Sequence, residues 1–340
     1  MHEKPAAVTW NIWVGRFGRL ARAGAAAMFA TFVSGNHSPA KADGYPERPV
    51  QLVVPAGPGS STDTIMRSLA QAASPMLGQP IVILNKPGAS GTIGVSYVTR
   101  SEPDGYTIGG VPSGAITMAP HVAAQNFQQA DYRIVAMITQ AAGVLCVHPD
   151  FPAKNASEFL AELKSNPDKY TYGSDGVGAF VQFSTARIFQ PLGIRQRIIP
   201  YSGADQTVTA FLSRTIDIYG GAIATIAQFV AEGKAKCLLL TTARRFATLP
   251  DVESLDDVKM APSQTLLWRA VIAPRDIPQD RFEKLRDVLT RAAQTPEFTA
   301  MAAKRGEEVW VISAEDAAKY AGNEFLQMEQ LARELHLKPN

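Results

Sequence analysis

Four consecutive polar residues, Ser60, Ser61, Thr62 and Asp63, follow the turn Ala56, Gly57, Pro58 and Gly59 directly after an apolar run at 51–54. Such hydroxyls can serve as nucleophiles or as donors to an anion. A nucleophile would need a base within about 3 Å, and no histidine stands near these serines in the chain. The run at 51–54 is β-branched and aliphatic, which suits a buried strand, while Ile65, Leu69, Ala73 and Met76 recur at helical spacing. Ser61, Thr62 and Asp63 are all suitable caps for that helix. Its first N–H groups have no intrahelical partner and favour negative charge, so residues 50–65 predict an anion seat. The same pattern also suits an ordinary βα turn whose N–H groups bond only to Ser61 or Thr62.

Other chemistries find little support. Of the five histidines, His2 and His37 lie near the N-terminus and His121, His148 and His336 are far apart, with no H-E-x-x-H or Cys/His spacing for a metal. There is no G-x-S-x-G elbow and no Walker lysine, and Gly88, Gly91 and Gly94 have the wrong spacing for a dinucleotide turn. Asp63, Asp175, Asp205 and Asp217 fall near turns, but nothing pairs them as acid and base; they read as caps or turn residues. No metal, no cofactor and no catalytic residue is expected.

The formal charge of +2 is misleading. Residues 1–42 hold Lys4, Arg16, Arg19, Arg22 and Lys41 against Glu3, which leaves 28 basic and 30 acidic side chains in the remainder. No basic stripe remains there, so nucleic acid is not an expected partner. The early arginines, the apolar stretch at 23–33 and the A-x-A pattern of Ala40, Lys41 and Ala42 read as an export signal cleaved after about Ala42. That stretch is short of the about 20 residues a membrane span needs. Cys146 and Cys237 are too few for a disulfide framework and both sit in strand-like runs, so two buried thiols are the default. Pairing would need their Cα atoms within about 7 Å.

Strand-like and helix-like segments alternate along the rest of the chain. The runs at 81–84, 106–111, 170–172, 197–200 and 216–219 each end in glycine or serine before a helical pattern, and helices close the chain at 278–293 and 313–335. Asn155 and Glu158 form a capping-box pattern ahead of Phe159 and Leu163. At 340 residues two cores are the better expectation. The alternation predicts an α/β fold with mostly parallel sheets, whose ligands sit beyond the C-terminal strand ends.

Short motifs follow one another in a telling order: YPERPVQLVVP at 45–55, PG at 58–59 with TD at 62–63, LGQP at 77–80, KPG at 86–88, GTIG at 91–94, PDGYT at 103–107, HP at 148–149, PY at 200–201, GA at 203–204 and LPDV at 249–252. In this the chain resembles the solute-binding proteins of tripartite tricarboxylate transporters, the Bug family, over about residues 44–335. The resemblance implies a periplasmic, two-domain binding protein of the flytrap type, each domain a mostly parallel sheet flanked by helices. One domain would comprise 43–143 with 265–340, and the other 144–264. A carboxylate would be held by two facing turns of the first domain, through backbone N–H groups and water rather than a salt bridge. Those turns are Ala56, Gly57, Gly59, Ser60, Ser61, Thr62 and Asp63, and Gly88, Ala89, Ser90, Gly91 and Thr92, with Ser113 and Gly114 beside them. The second domain would cover the ligand with Ser174, Gly178, Ala179 and Phe180, with Tyr201, Gly203 and Asp205, and with Gly220 and Gly221.

Departures from the family pattern bear on the ligand. Ala56 stands where an aromatic residue is usual and Ser60 where a second glycine is usual; Val177, Ala179 and Phe180 replace small hydroxyl residues, and Gly220 and Gly221 replace acidic or amide side chains. A site without partners for a buried charge rejects it. The expected ligand is therefore a monocarboxylate with an apolar or aromatic tail, although Phe180 also suits plain core packing. The function implied is a monomeric receptor that delivers a small carboxylate to membrane permease subunits. The alternatives are a sensor presenting its ligand to a membrane kinase and, third, a hydrolase using Ser60 or Ser61.

Overall fold

A computed structural model describes residues 44–201 and 203–337. The expected leader, its cleavage point at Ala42 and the new terminus at Asp43 lie outside the described residues. In chain order the strands are β1 (Val50–Val54), β2 (Ile81–Asn85), β3 (Thr107–Pro112), β4 (Tyr132–Val147), β5 (Thr171–Ser174), β6 (Arg197–Pro200), β7 (Ile218–Ala222), β8 (Lys236–Leu240), β9 (Leu266–Pro274) and β10 (Glu307–Val309). The helices are α1 (Ser61–Leu77), α2 (Thr92–Thr99), α3 (Ser113–Thr117), α4 (Ala156–Ser165), α5 (Phe180–Phe189), α6 (Ala204–Leu212), α7 (Ile223–Ala231), α8 (Gln279–Ala293), α9 (Pro296–Lys304) and α10 (Ala314–Glu334).

The strands join in the order β2-β1-β3-β9-β4-β7-β5-β6, with β8 and β10 also paired to β4. Wherever strand and helix alternate the pairing is parallel: β1 with β2 and β3, and β5 with β6 and β7. The antiparallel pairs all involve β4 or β9, which carry the chain across the sheet. Residues 132–142 of β4 pair with β9, and residues 143–147 with β7 and β8. One long strand therefore serves two sheet halves. Where the chain crosses, Thr241 binds both passages: its N–H donates to Gly143 O at 2.9 Å and its carbonyl accepts from Thr265 N–H at 2.8 Å.

Both faces of the sheet are covered, and the period of two along each strand shows it. Leu52 and Val54 face a core with α1 and α8, whereas Val53 faces another with Val95 and Trp268. Leu145 and Val147 pack with Phe159 and Phe183, whereas Val144 and Cys146 pack with Phe211 and Tyr219. Asn155 and Ser313 cap their helices as expected, Asn155 Oδ1 accepting from Glu158 N–H at 2.8 Å and Ser313 Oγ from Asp316 N–H at 3.0 Å. The cap of α1 is Ser60, not Ser61, Thr62 or Asp63: the helix already begins at Ser61, and Ser60 Oγ accepts from Asp63 N–H at 3.2 Å.

Two buried features depart from the expectations above. Cys146 of β4 faces Cys237 of β8 in register and the two form a disulfide, in place of two free thiols. Their separation of 91 positions in the chain concealed that pairing. In the middle of α10, Glu324 is 5% exposed and accepts from Trp268 Nε1 and Thr117 Oγ1, both at 2.9 Å. Burial pushes its carboxyl up to about 7, against the pull of those donors and of Arg187.

The disulfide should appear as the absence of both free thiols when the unreduced protein is alkylated and weighed by mass spectrometry. Cys146→Ala with Cys237→Ala should lower the unfolding free energy by about 2–5 kcal/mol in urea titrations. Glu324 keeps its proton when folded up to about pH 7 but loses it near 4.5 when unfolded, so stability is lost as pH rises through that window. Relative to Glu324→Gln, the wild type should lose about 3 kcal/mol between those limits; equal pH profiles for the two proteins would contradict this.

Candidate functional site

The start of α1 is built by side chains that hold the preceding turn. Asp63 Oδ2 accepts from Gly59 N–H and from Arg67 Nε, and its Oδ1 from Asn85 Nδ2, each at 2.8 Å. Asn85 Nδ2 also donates to Ala56 O at 2.9 Å, which ties the turn to the end of β2. Burial would raise the Asp63 carboxyl, but the bonds from Arg67, Asn85 and Gly59 outweigh it and hold the group below the usual carboxylate range. Asp63 is therefore a brace for the turn. The N–H groups of Ser61 and Thr62, in the first turn, are left with no intrahelical acceptor.

Beneath them lies a buried ion pair. Arg269 of β9 and Glu307 of β10 are 5% and 3% exposed, and Arg269 Nη1 stands 2.6 Å from Glu307 Oε2. That contact is off the hydrogen-bonding direction, so its attraction is chiefly one of charge. Arg269 also donates to Ser61 Oγ at 3.0 Å and to Thr62 Oγ1 at 3.3 Å, while Glu307 accepts from Ser61 Oγ at 3.1 Å and Thr139 Oγ1 at 2.6 Å.

A cavity of about 240 Å³ opens above this network. One wall comes from Ser60, Ser61, Thr62 and Ser90, with Pro112, Gly114 and Ala115 at the β3–α3 junction and Leu267 and Arg269 of β9. The facing wall comes from Asp175, Gly178, Ala179 and Phe180 around the start of α5, from Ala204, and from Tyr219, Gly220, Gly221, Ala222 and Thr225. The walls meet closely. A Cβ added at Gly178, where φ is +70°, would lie 2.0 Å from Val122 Cγ2, and one at Gly176 would lie 3.8 Å from Ser90 Oγ. A larger hollow of about 370 Å³ beside Tyr132, Arg133 and Phe282 lies away from the glycine-rich turns. Among the described residues no group of three or more His, Cys, Asp or Glu is placed to hold a metal, and no helix is long and apolar enough to cross a membrane.

The sequence model described as "Tripartite tricarboxylate transporter family receptor" (TctC) matches residues 65–337. The chain belongs to this receptor family. It is 32% identical over 307 residues to a UPF0065 protein of Bordetella pertussis, covering 89% of this chain and 94% of that one. Among solved structures it is similar to the periplasmic binding protein BugD, at 28% identity and a TM-score of 0.76, covering 87% of this chain and 100% of that one. It is also similar to MatC of Rhodopseudomonas palustris with bound malate, at 25% identity and a TM-score of 0.75, covering 84% of this chain and 99% of that one. The fold is thus that of a two-domain periplasmic binding protein, in a family of receptors rather than enzymes.

Within this TctC-family receptor the residues singled out by sequence divide into two groups. Ser60, Ser61, Thr62, Ser90, Gly114, Gly178, Ala179, Phe180, Gly220 and Gly221 meet around the one cavity. Ala56, Gly57, Gly59 and Asp63 form the turn behind it. Gly88, Ala89, Gly91 and Thr92 shape the turn that carries Ser90, with Thr92 Oγ1 donating to Ala89 O at 2.9 Å. Ser113 is fully buried, Ser174 Oγ donates to Gly176 O at 2.7 Å, Tyr201 and Gly203 lie outside the lining, and Asp205 is exposed on α6. Phe180 is 5% exposed in the core and also lines the cavity.

Sequence reasoning missed Arg269, Tyr219 and Thr225 and read Asp175 as a cap or turn residue. Arg269 did carry a signal, as the lone charge in the nine residues of β9. Its pair with Glu307 is internal to the protein and stands directly behind the seat, and Asp175, Tyr219 and Thr225 make the loss of polar groups on the facing wall only partial. Glu307→Ala leaves Arg269 buried and unpaired and should cost about 3–5 kcal/mol of stability in urea titrations, with Glu307→Gln costing less; a neutral effect of Glu307→Ala would show that the pair does not support this wall.

Proposed function

We propose that this chain is an extracytoplasmic receptor that captures a small carboxylate between its two sheet halves and delivers it to the membrane subunits of a tripartite transporter. The observation that carries the reading is the cavity with the start of α1 on one wall and the glycine-rich β5–α5 loop on the other. The ligand's carboxylate accepts from the N–H groups of Ser61 and Thr62 and from the hydroxyls around them, at a helix end that favours negative charge. Arg269 and Glu307 keep those hydroxyls oriented.

Residues 43–143 with 265–340 act as the anchoring lobe and residues 144–264 as the covering lobe. The crossings near Gly143 and Thr265, both bonded to Thr241, serve as the hinge, and closure forms the surface the permease recognises. Residues 1–42 direct export and are removed after about Ala42, leaving a periplasmic monomer. The receptor family and the malate recorded with MatC support a carboxylate ligand.

A thermal-shift screen of small carboxylic acids tests the reading, since an acid at about 100 times its Kd adds near 2.7 kcal/mol to stability. Gly178→Ala, whose Cβ meets Val122, should weaken the best acid about tenfold or more by obstructing closure. If no acid stabilises the protein the carboxylate reading fails, and if Gly178→Ala binds like the wild type the closure does.

A further inference from the structure

Helix α10 belongs to both halves of the molecule. Ala317 and Ala321 in its first half pack with Val98 and Trp268 in one core, while Met328, Leu331 and Ala332 in its second half pack with Phe159 and Phe183 in another. Glu324 lies between the two sets, just after Gly322, the lone glycine of the helix. Its carboxyl is held from one side: Thr117 Oγ1 and Trp268 Nε1 both donate to Oε2, and both belong to the anchoring lobe. On its other side is a hollow of about 250 Å³, whose wall from the covering lobe includes Arg187 of α5 with Pro262 and Gln264. Arg187 attracts the carboxylate by charge, but its Nη2 donates to Pro262 O at 2.8 Å and, among the described residues, no ion pair joins it to Glu324. The other ionisable groups around the helix face elsewhere or stay uncharged. Tyr320, one turn earlier, has its phenol pushed further up by burial, His121 packs on Phe325 and faces Glu329 and Arg333, and Arg133 of β4 lines the separate hollow beside Ala321 and Gly322.

We propose that closure of the two lobes takes up a proton at Glu324, so that the closed receptor is favoured at acid pH and gives way to the open one as pH rises towards neutrality. This rests on the lobe motion proposed above. Glu324 is buried because both lobes wall it in, and withdrawing Arg187, Pro262 and Gln264 opens its hollow to water. A carboxyl that regains water regains its ordinary acidity. The closed arrangement holds the proton up to about pH 7, whereas a hydrated carboxyl gives it up near the ordinary 4.5. The form with the higher pKa is favoured below both values and loses that advantage as pH rises from the lower to the higher. Gly322 gives α10 a weak point beside this group, at the position where a helix seated in both lobes must flex as they part.

Spin labels on Gln71→Cys of α1 and Lys164→Cys of α4, exposed positions on opposite lobes, read the distance between the lobes without any ligand, because the two native cysteines are paired. The ratio of closed to open populations should fall about tenfold or more between about pH 5 and about pH 8. In Glu324→Gln, which carries no charge at either pH, the ratio should stay near its acid value throughout. In Arg187→Gln the fall should move to higher pH, since the cation that draws the proton off Glu324 is gone. That second variant carries the test on its own where glutamine at 324 does not fold. A fall that survives in Glu324→Gln, or that keeps its midpoint in Arg187→Gln, would assign it to other groups such as His121 or Asp175 and overturn the proposal. Two populations in a ratio independent of pH would overturn the proton linkage while leaving the moving lobes standing, and one narrow distance at every pH would overturn both.

Discussion

The ion pair between Arg269 and Glu307 is the constraint on which the rest of the structure depends. Through Ser61, Thr62 and Thr139 it joins α1, β4, β9 and β10, elements far apart in the chain. Two charges removed from water in this way gain little over an apolar pair, and what they add is direction. They orient two hydroxyls at the start of α1, which lines the cavity. A change to either charge would disturb the wall and the core behind it together.

The same economy of parts governs the sheet. Because β4 runs through both halves, the two walls of the cavity share a backbone, and Thr241 holds the outgoing and returning passages side by side. Rigid parallel units on each side bring their strand ends to the middle, which is where such sheets bind ligands. Glycine at 178 lets the far loop approach Val122, and a side chain there would have nowhere to go. Close approach and an enclosed cavity thus follow from the same residues.

Enclosure also sets the electrostatics. A carboxylate in water costs little, whereas Asp175 at the edge of a closed space needs a matching charge. The near wall, with its pair already neutralised, presents N–H groups and hydroxyls to an anion. The far wall contributes Asp175 among otherwise small and neutral residues.

Much of this was legible in the sequence wherever the physics is local. Alternating strand and helix patterns, the caps Asn155 and Ser313 and the turn that opens α1 depend on residues a few positions apart, and so did the ordered motifs that mark the family. Nearness in the chain also misled, since Asp63 stands beside the seat yet is taken up by Arg67 and Asn85. The pairing of Cys146 with Cys237 and the partner of Arg269 were not legible, because each depends on the register of strands brought together from distant segments. The sequence by itself determined the elements, their order and the helix start that favours an anion. Only the tertiary structure decided which charges are matched and by which partner, because a charge is neutralised by whatever lies nearest in space.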